Sequence, residues 1–181
     1  MDDGQPFVIP TAFARMEDRV VIHGSAASRM LKALVAGAPA CLTVTHVDGL
    51  VLARSAFHHS INYRSVVVVG RATEIEDPLE KRRALDAIVE NIVPGRAGAV
   101  RAPSDNELRA TRAVWLPLDE ASAKVRSGPP KDDDEDYALP VWAGELPLVT
   151  TPLAPRPDPL LPPTIPLPPH VSGWRRGGRD G

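Results

Sequence analysis

The chain has 181 residues, a size that suits one domain, and its 21 basic and 23 acidic side chains leave a formal net charge of −2, which argues against a broad electrostatic footprint for nucleic acid. Apolar residues make up 43 %, enough for a core, and the single cysteine excludes an internal disulfide and most cysteine-based metal sites. No stretch approaches the roughly 18 apolar residues of a membrane helix, and Met1-Asp2-Asp3-Gly4 lacks the basic opening of a secretory signal, so a soluble cytoplasmic protein is expected.

The first predicted element is a hairpin. Residues 7–13 and 20–23 flank the polar turn Met16-Glu17-Asp18-Arg19, and Pro10, which cannot donate to a ladder, marks an edge or bulge. A short helix follows, capped by Ser25, ended by Gly37, with Met30, Leu31, Leu34 and Val35 on one face. Cys41 lies in an apolar run and is expected as a buried structural thiol. A second hairpin joins 42–45 to 50–57 through His46-Val47-Asp48-Gly49, because Asp-Gly is a strong hairpin signal. The next strand runs from about Tyr63 to Ala72 and holds four consecutive valines, the pattern of a strand buried on both faces.

Asp77-Pro78-Leu79-Glu80 opens a second helix, with Asp77 as cap, Pro78 first in the helix and Glu80 closing a capping box. Leu85, Ile88, Val89 and Ile92 form its apolar stripe, and Pro94-Gly95 ends it. Ser104-Asp105-Asn106-Glu107 is a second capping box, for a short third helix, and strands are predicted at 113–118 and 122–126. The acidic run 132–136 has the composition of a solvated or disordered segment, while the segment 138–144 is suited to docking on the body. From 151 to 169 prolines are too frequent for a regular core, so an extended tail is expected. It ends in the flexible basic stretch Arg175-Arg176-Gly177-Gly178-Arg179. Hairpin connections exclude a parallel nucleotide-binding sheet. A small antiparallel barrel of five or six strands, with a few helices covering its ends, fits best because closure removes exposed edges.

Chemistry is suggested at two places. The polar stretch His58-His59-Ser60-Ile61-Asn62-Tyr63-Arg64-Ser65 enters the valine strand, and a rigid strand fixes the positions of polar groups for a ligand. A polar loop before a core strand is the alternative. At His23-Gly24-Ser25 a strand ends, a glycine turns the chain and a helix begins; its first turn suits a phosphate. Ser28, Arg29 and Lys32 are spaced to approach one anion there, or they are the solvent-facing groups of an ordinary amphipathic helix. His23 is the imidazole placed best for chemistry. His58 and His59, being adjacent, would face opposite sides of a strand and make no metal pair by themselves. No zinc spacing, GxGxxG, phosphate loop or GxSxG is present. Arg54 and Arg64 are placed to reach one end of the barrel and make a phosphate site, or to lie on solvated faces. Trp115 and Trp142 are large apolar anchors, suited to covering a flat cofactor or to core or interface packing.

These segments together resemble the pyridoxamine-phosphate-oxidase-like family of flavin-binding split barrels. The branch they resemble is the flavin-nucleotide-binding proteins related to nitroimidazole reductases. The matching pieces are Gly4-Gln5-Pro6-Phe7-Val8-Ile9-Pro10-Thr11, His23-Gly24-Ser25 followed by Arg29, Asp48-Gly49-Leu50-Val51-Leu52-Ala53-Arg54-Ser55, and His59-Ser60 through Gly70. Ser122-Ala123-Lys124-Val125-Arg126 and Pro140-Val141-Trp142-Ala143-Gly144 match as well, in unbroken order from about Gly4 to Leu148. The resemblance implies a mainly β, six-stranded split barrel over 1–148, without the family's usual N-terminal helix and strand, and a proline-rich tail over 149–181. It also implies an FMN-binding homodimer with two sites at the subunit interface. In that picture Ile9, Pro10 and Thr11 line the isoalloxazine, and His23, Gly24 and Ser25 sit at the ring and ribityl chain. Ser28, Arg29 and Lys32 are the phosphate candidates. Tyr63, Arg64 and Ser65 belong to the same cleft, Trp142 closes it from the partner subunit, and Arg54, Ser55 and Lys124 complete the cofactor-binding set.

The function expected from this resemblance is an FMN-dependent oxidoreductase acting on a small molecule, with a reduced nicotinamide as electron donor and His23 as the residue contacting substrate or ring. In such an enzyme FMN carries the electrons and the protein supplies orientation and electrostatics. A flavin- or haem-binding module without turnover is the alternative, with His58 and His59 suited to haem, and a deazaflavin is a further candidate ligand. A third reading is an interaction protein that recruits partners through its proline-rich tail.

Overall fold

The computed structural model describes residues 5–175. The chain divides into two units, a first of Met1–Ala40, Val69–Glu120 and Pro152–Gly181, as far as these are described, and a second of Cys41–Val68 and Ala121–Thr151. Each holds one four-stranded antiparallel sheet. The described residues form eight strands and four helices rather than a six-stranded arrangement. Two of the eight, β5 and β8 below, are too short or too irregular in composition to show a strand pattern.

The first unit opens with β1 (Phe13–Met16) and β2 (Arg19–Ser25), paired from Phe13↔Ile22 to Met16↔Arg19. The predicted turn is correct, and Glu17 takes a left-handed φ of 56° to make it. The strand starts at Phe13, not Phe7, so Pro10 stands outside the ladder. Helix α1 spans Arg29–Val35 and is capped by Ser28, whose Oγ accepts from Leu31 N. Ser25 lies too early to cap it, because it is still paired in β2 against Thr111. Gly37, at φ 88°, follows the helix as expected of a left-handed terminator. In the second unit β3 (Pro39–Leu52) runs without interruption through the predicted second hairpin. Asp48-Gly49 is not a turn. Gly49 is paired with Pro147 of β8 (Gly144–Pro147), and a Cβ there would stand 3.1 Å from the Leu146 carbonyl oxygen. The glycine is therefore explained by close approach of a neighbouring strand, not by turn geometry. Cys41, near the start of β3, is exposed rather than buried.

Strand β4 (Ser60–Arg71) carries the valines, yet it is not buried throughout. Val68 is buried, but Val66 on the same face is 42 % exposed and Val69 on the opposite face is 39 % exposed, so neither face is covered along its whole length in the single chain. After β5 (Thr73–Glu74), helix α2 (Pro78–Ile92) begins with Asp77 accepting from Glu80 N at 2.7 Å. The expected reciprocal bond is absent from the described contacts, because Glu80 instead pairs with Arg19 Nη2 at 2.6 Å. The buried face of α2 is narrower than the predicted stripe: Ala84 and Ile88 are covered, whereas Ile92 is exposed. Helix α3 (Asp105–Ala110) has its full capping box, Ser104 with Glu107. Strand β6 (Thr111–Pro117) pairs along the whole of β2, from Arg19↔Pro117 to Ser25↔Thr111, and β7 (Ala121–Arg126) pairs with β4. The core of the first unit is Ala14, Val21, Ile75, Ala84, Ile88 and Ala113, so it lies between the sheet and α2.

The acidic run is ordered. Its Asp132 side chain is 0 % exposed, and Asp134–Ala138 forms a 3-10 turn. Between β8 and α4 (Pro169–Ser172) the proline-rich segment holds no helix or strand, and α4 is followed by Trp174, whose Nε1–H donates to the Ile92 carbonyl at 3.0 Å. Residues 176–179 of the predicted basic end lie outside the described residues. Among the described residues no helix is long and apolar enough to cross a membrane.

Candidate functional site

In the first unit β2 hands the chain to α1 through His23, Gly24 and Ser25. His23 is half-buried opposite Ala113, and its Nδ1 is buried with no hydrogen-bond partner among the described residues. Burial pushes the imidazole pKa below its ordinary 6.5, so the ring is held neutral. A Cβ on Gly24 would meet Leu31 Cδ1 at 3.1 Å, which is why a glycine stands where the strand passes the helix. Ser25 Oγ accepts from Ala27 N at 3.2 Å, and Ala26 N donates to the Ala110 carbonyl at 2.8 Å. The Arg29 guanidinium lies 5.0 Å from the Phe7 ring centroid. Lys32 is exposed in the last turn of α1. The helix has only seven residues and its cap is already made, so the phosphate argument drawn from a free helix start is weaker than the sequence implied. Ile9 and Pro10 are exposed ahead of β1, and Thr11 is half-buried, its hydroxyl donating to the Ala12 carbonyl.

The second unit gathers a different set. Arg64 donates from Nε and Nη2 to the two Asp48 oxygens, each at 2.9 Å. Arg54, just past β3, stacks 4.9 Å from the Tyr137 ring and donates to Asp132 at 3.0 Å. The two arginines thus serve two different carboxylates and do not form one phosphate clamp. The Asp132 carboxyl is subject first to burial, which raises its pKa. Bonds from the Arg54 guanidinium and from the Arg54 and Ser55 N–H groups outweigh burial and hold it below its ordinary range. Tyr63 stands opposite Arg126 in the ladder, and Ser65, opposite Lys124, shares a 2.8 Å hydroxyl bond with Thr45. Lys124 is exposed, and Trp142 is 68 % exposed with its ring over Gly144. Asn62 is the buried polar centre. It donates to Glu145 at 2.5 Å and to the Gly128 carbonyl, and it accepts from Arg126.

Two hollows lie in this unit. A cavity of about 270 Å³ is lined by Asp48, Asn62, Arg64, Arg126 and Glu145 among others. A cleft of about 520 Å³ is walled by Phe57, His58, His59, Val125, Arg126 and Lys131 with their neighbours. It combines apolar walls, two imidazoles and two cations, which suits a flat ligand with carboxylates at one edge. The sequence reading singled out the histidines but missed Asp132, Glu145 and Lys131. Asn62 lay within the polar stretch; nothing local to 131–132 or 145 marks those side chains, because their partners are distant in sequence.

A family model described as pyridoxamine 5'-phosphate oxidase matches residues 1–125. No curated protein matches the chain. Among solved structures, the flavocytochrome Anf3 from Azotobacter vinelandii is 46 % identical with a TM-score of 0.90, over 97 % of this chain and 81 % of that one. The FAD and haem binding protein from Mycobacterium smegmatis is 44 % identical with a TM-score of 0.90, over 94 % of this chain and 84 % of that one. A protein from Bacteroides thetaiotaomicron, named for 5-nitroimidazole antibiotic resistance, is 25 % identical with a TM-score of 0.55, over 67 % and 69 %.

Proposed function

Because the chain belongs to the pyridoxamine 5'-phosphate oxidase family, we propose that it binds a flavin nucleotide and works in electron transfer to or from a small molecule. The observation that carries this reading is the His23-Gly24-Ser25 corner. An imidazole kept neutral by burial, with Nδ1 unpaired, needs a polar partner that the described residues do not supply. A flavin ring edge carries such groups. In this reading Ile9, Pro10, Thr11, Ser28, Arg29 and Lys32 of the first unit contact the flavin. Arg54 and Ser55 act in this reading through their hold on Asp132. When bound, the flavin supplies hydride and single-electron chemistry; the chain's residues orient it and exclude water. FMN is the form expected from the sequence, and the naming of the 44 % identical mycobacterial protein favours FAD. A reduced nicotinamide is the proposed donor. The partner in this reading is a second copy of the chain, supported by exposed Leu50, Val66, Val125, Trp142 and Leu146 on one unit.

The test is to purify the protein, record its absorbance, add FMN and FAD separately, and identify any released flavin by chromatography. A flavin spectrum with loss of affinity in His23→Ala supports the reading. No uptake of either flavin overturns it.

A second ligand is favoured by the cleft of the second unit. Its volume, its Phe57 and Val125 walls, its two histidines and its Arg126 and Lys131 fit haem, with the cations facing the propionates. Two solved relatives are named for a haem protein, one as a flavocytochrome and one for FAD and haem. Haem titration followed at the Soret band tests it, and an unchanged spectrum overturns it.

A further inference from the structure

The hydrogen bonds of the two cleft histidines separate their roles. His59 Nδ1 lies 2.9 Å from the Ser55 carbonyl oxygen, which can only accept, so Nδ1 carries the proton. In a neutral ring the lone pair is then on Nε2, the arrangement in which a hydrogen bond at the other ring nitrogen orients a metal-ligating histidine. His58 is committed differently. Its Nε2 faces Asp133 Oδ2 at 3.3 Å, and its ring stands edge-on to Phe57 at 5.2 Å.

The carbonyl that orients His59 belongs to a peptide segment gripped from far along the chain. Asp132 Oδ1 accepts from Arg54 N at 3.0 Å, Oδ2 accepts from Arg54 Nη1 at 3.0 Å, and the Ser55 N–H also donates to this carboxylate. The Asp132 side chain is wholly buried, and the Arg54 guanidinium is backed by Tyr137. The residue holding one end of Ser55 is therefore fixed, while the other end of Ser55 fixes the imidazole.

We propose that Asp132 is the positioning residue for His59: by gripping the backbone at Arg54 and Ser55 it holds the Ser55 carbonyl against His59 Nδ1, and so presents His59 Nε2, rather than His58, as the ligand of haem iron. The proposal rests on the haem reading above. Coordination here is donation of the Nε2 lone pair to iron, with no proton or electron released by the ring.

Two measurements test it in the full chain. The first needs no haem: the imidazole ¹⁵N shifts of the purified protein report the tautomer. His59 is expected as the Nδ1–H form, and Asp132→Asn is expected to shift it to a mixture while Asp134→Asn does not. The second is titration with haemin. His59→Ala is expected to lose the histidine-ligated spectrum and to regain it with added imidazole, whereas His58→Ala keeps it. Asp132→Asn is expected to weaken haem about 10- to 100-fold, the range for outer-shell partners of a ligating histidine. Wild-type protein that ignores haemin overturns the haem reading, and the tautomer then still judges the Asp132 relay. Ligation lost in His58→Ala but kept in His59→Ala overturns the ligand. An unchanged tautomer and haem affinity in Asp132→Asn overturn the positioning role. If that variant does not fold, an Nε2–H tautomer of His59 in the wild type overturns it instead.

Discussion

His23 shows how much one buried ring can report. Burial disfavours its charged form, so its folded pKa lies below 6.5 while the unfolded chain keeps the ordinary value. As pH falls, the unfolded state takes up the proton first, so stability drops. The contribution is whole above the unfolded pKa and is lost as pH falls from there toward the depressed folded pKa. Thermal melts of the flavin-free protein between about pH 7 and about pH 5 should therefore fall more steeply in the wild type than in His23→Gln. Parallel slopes would show that burial of His23 has no hold on stability. The residue itself was legible in the sequence, at a strand end beside a glycine. Its unpaired Nδ1 was not, because a strand register and a neighbouring strand are needed to cover it.

At the scale of elements, the local signals were the dependable ones. Asp77 before Pro78 and Ser104 before Glu107 start their helices where expected, because a cap bonds to a backbone group three residues away. The failures are non-local. Glu80 left its expected box for Arg19, and Asp48-Gly49 sits inside a strand because β8 arrives from nearly a hundred residues later. Gly49→Ala tests that explanation. The new Cβ would stand 3.1 Å from a backbone oxygen that cannot rotate away. Amide exchange should speed up at Leu146 and Leu148, with destabilisation of about 1–3 kcal/mol for overpacking. Were Gly49 there for turn geometry instead, exchange in β8 would not change. In the first unit, Ile88→Ala removes a wholly buried side chain of α2 and should cost about 2–5 kcal/mol by denaturant titration. A loss below about 1 kcal/mol, the scale of a surface substitution, would mean that α2 is not part of that core.

For the whole molecule, the valine strand sets the prediction. Four β-branched residues in a row suggested burial on both faces, but Val66, on the same face as buried Val68, is 42 % exposed, so that face is not covered along its length in a single chain. The proposed second copy accounts for the pattern. Light scattering should give twice the chain mass, and Val66→Glu with Val125→Glu should shift it toward the monomer, since burying two unpaired carboxylates is costly. A monomeric wild type at micromolar concentration would leave the exposed valines without that explanation.

The sequence by itself determined the family, the antiparallel character, the capped starts of α2 and α3 and the two polar places where chemistry is proposed. Each of these is written in residue type, in short spacing or in the order of matching segments. Only the tertiary structure decided that Arg54 and Arg64 are held by separate carboxylates, that Asp132 is buried rather than solvated, and that His59 and not His58 keeps its lone pair on Nε2. Those facts depend on hydrogen-bond partners up to 78 residues apart, and a partner at that distance is chosen by how the sheet and its loops fold back, which no local pattern records.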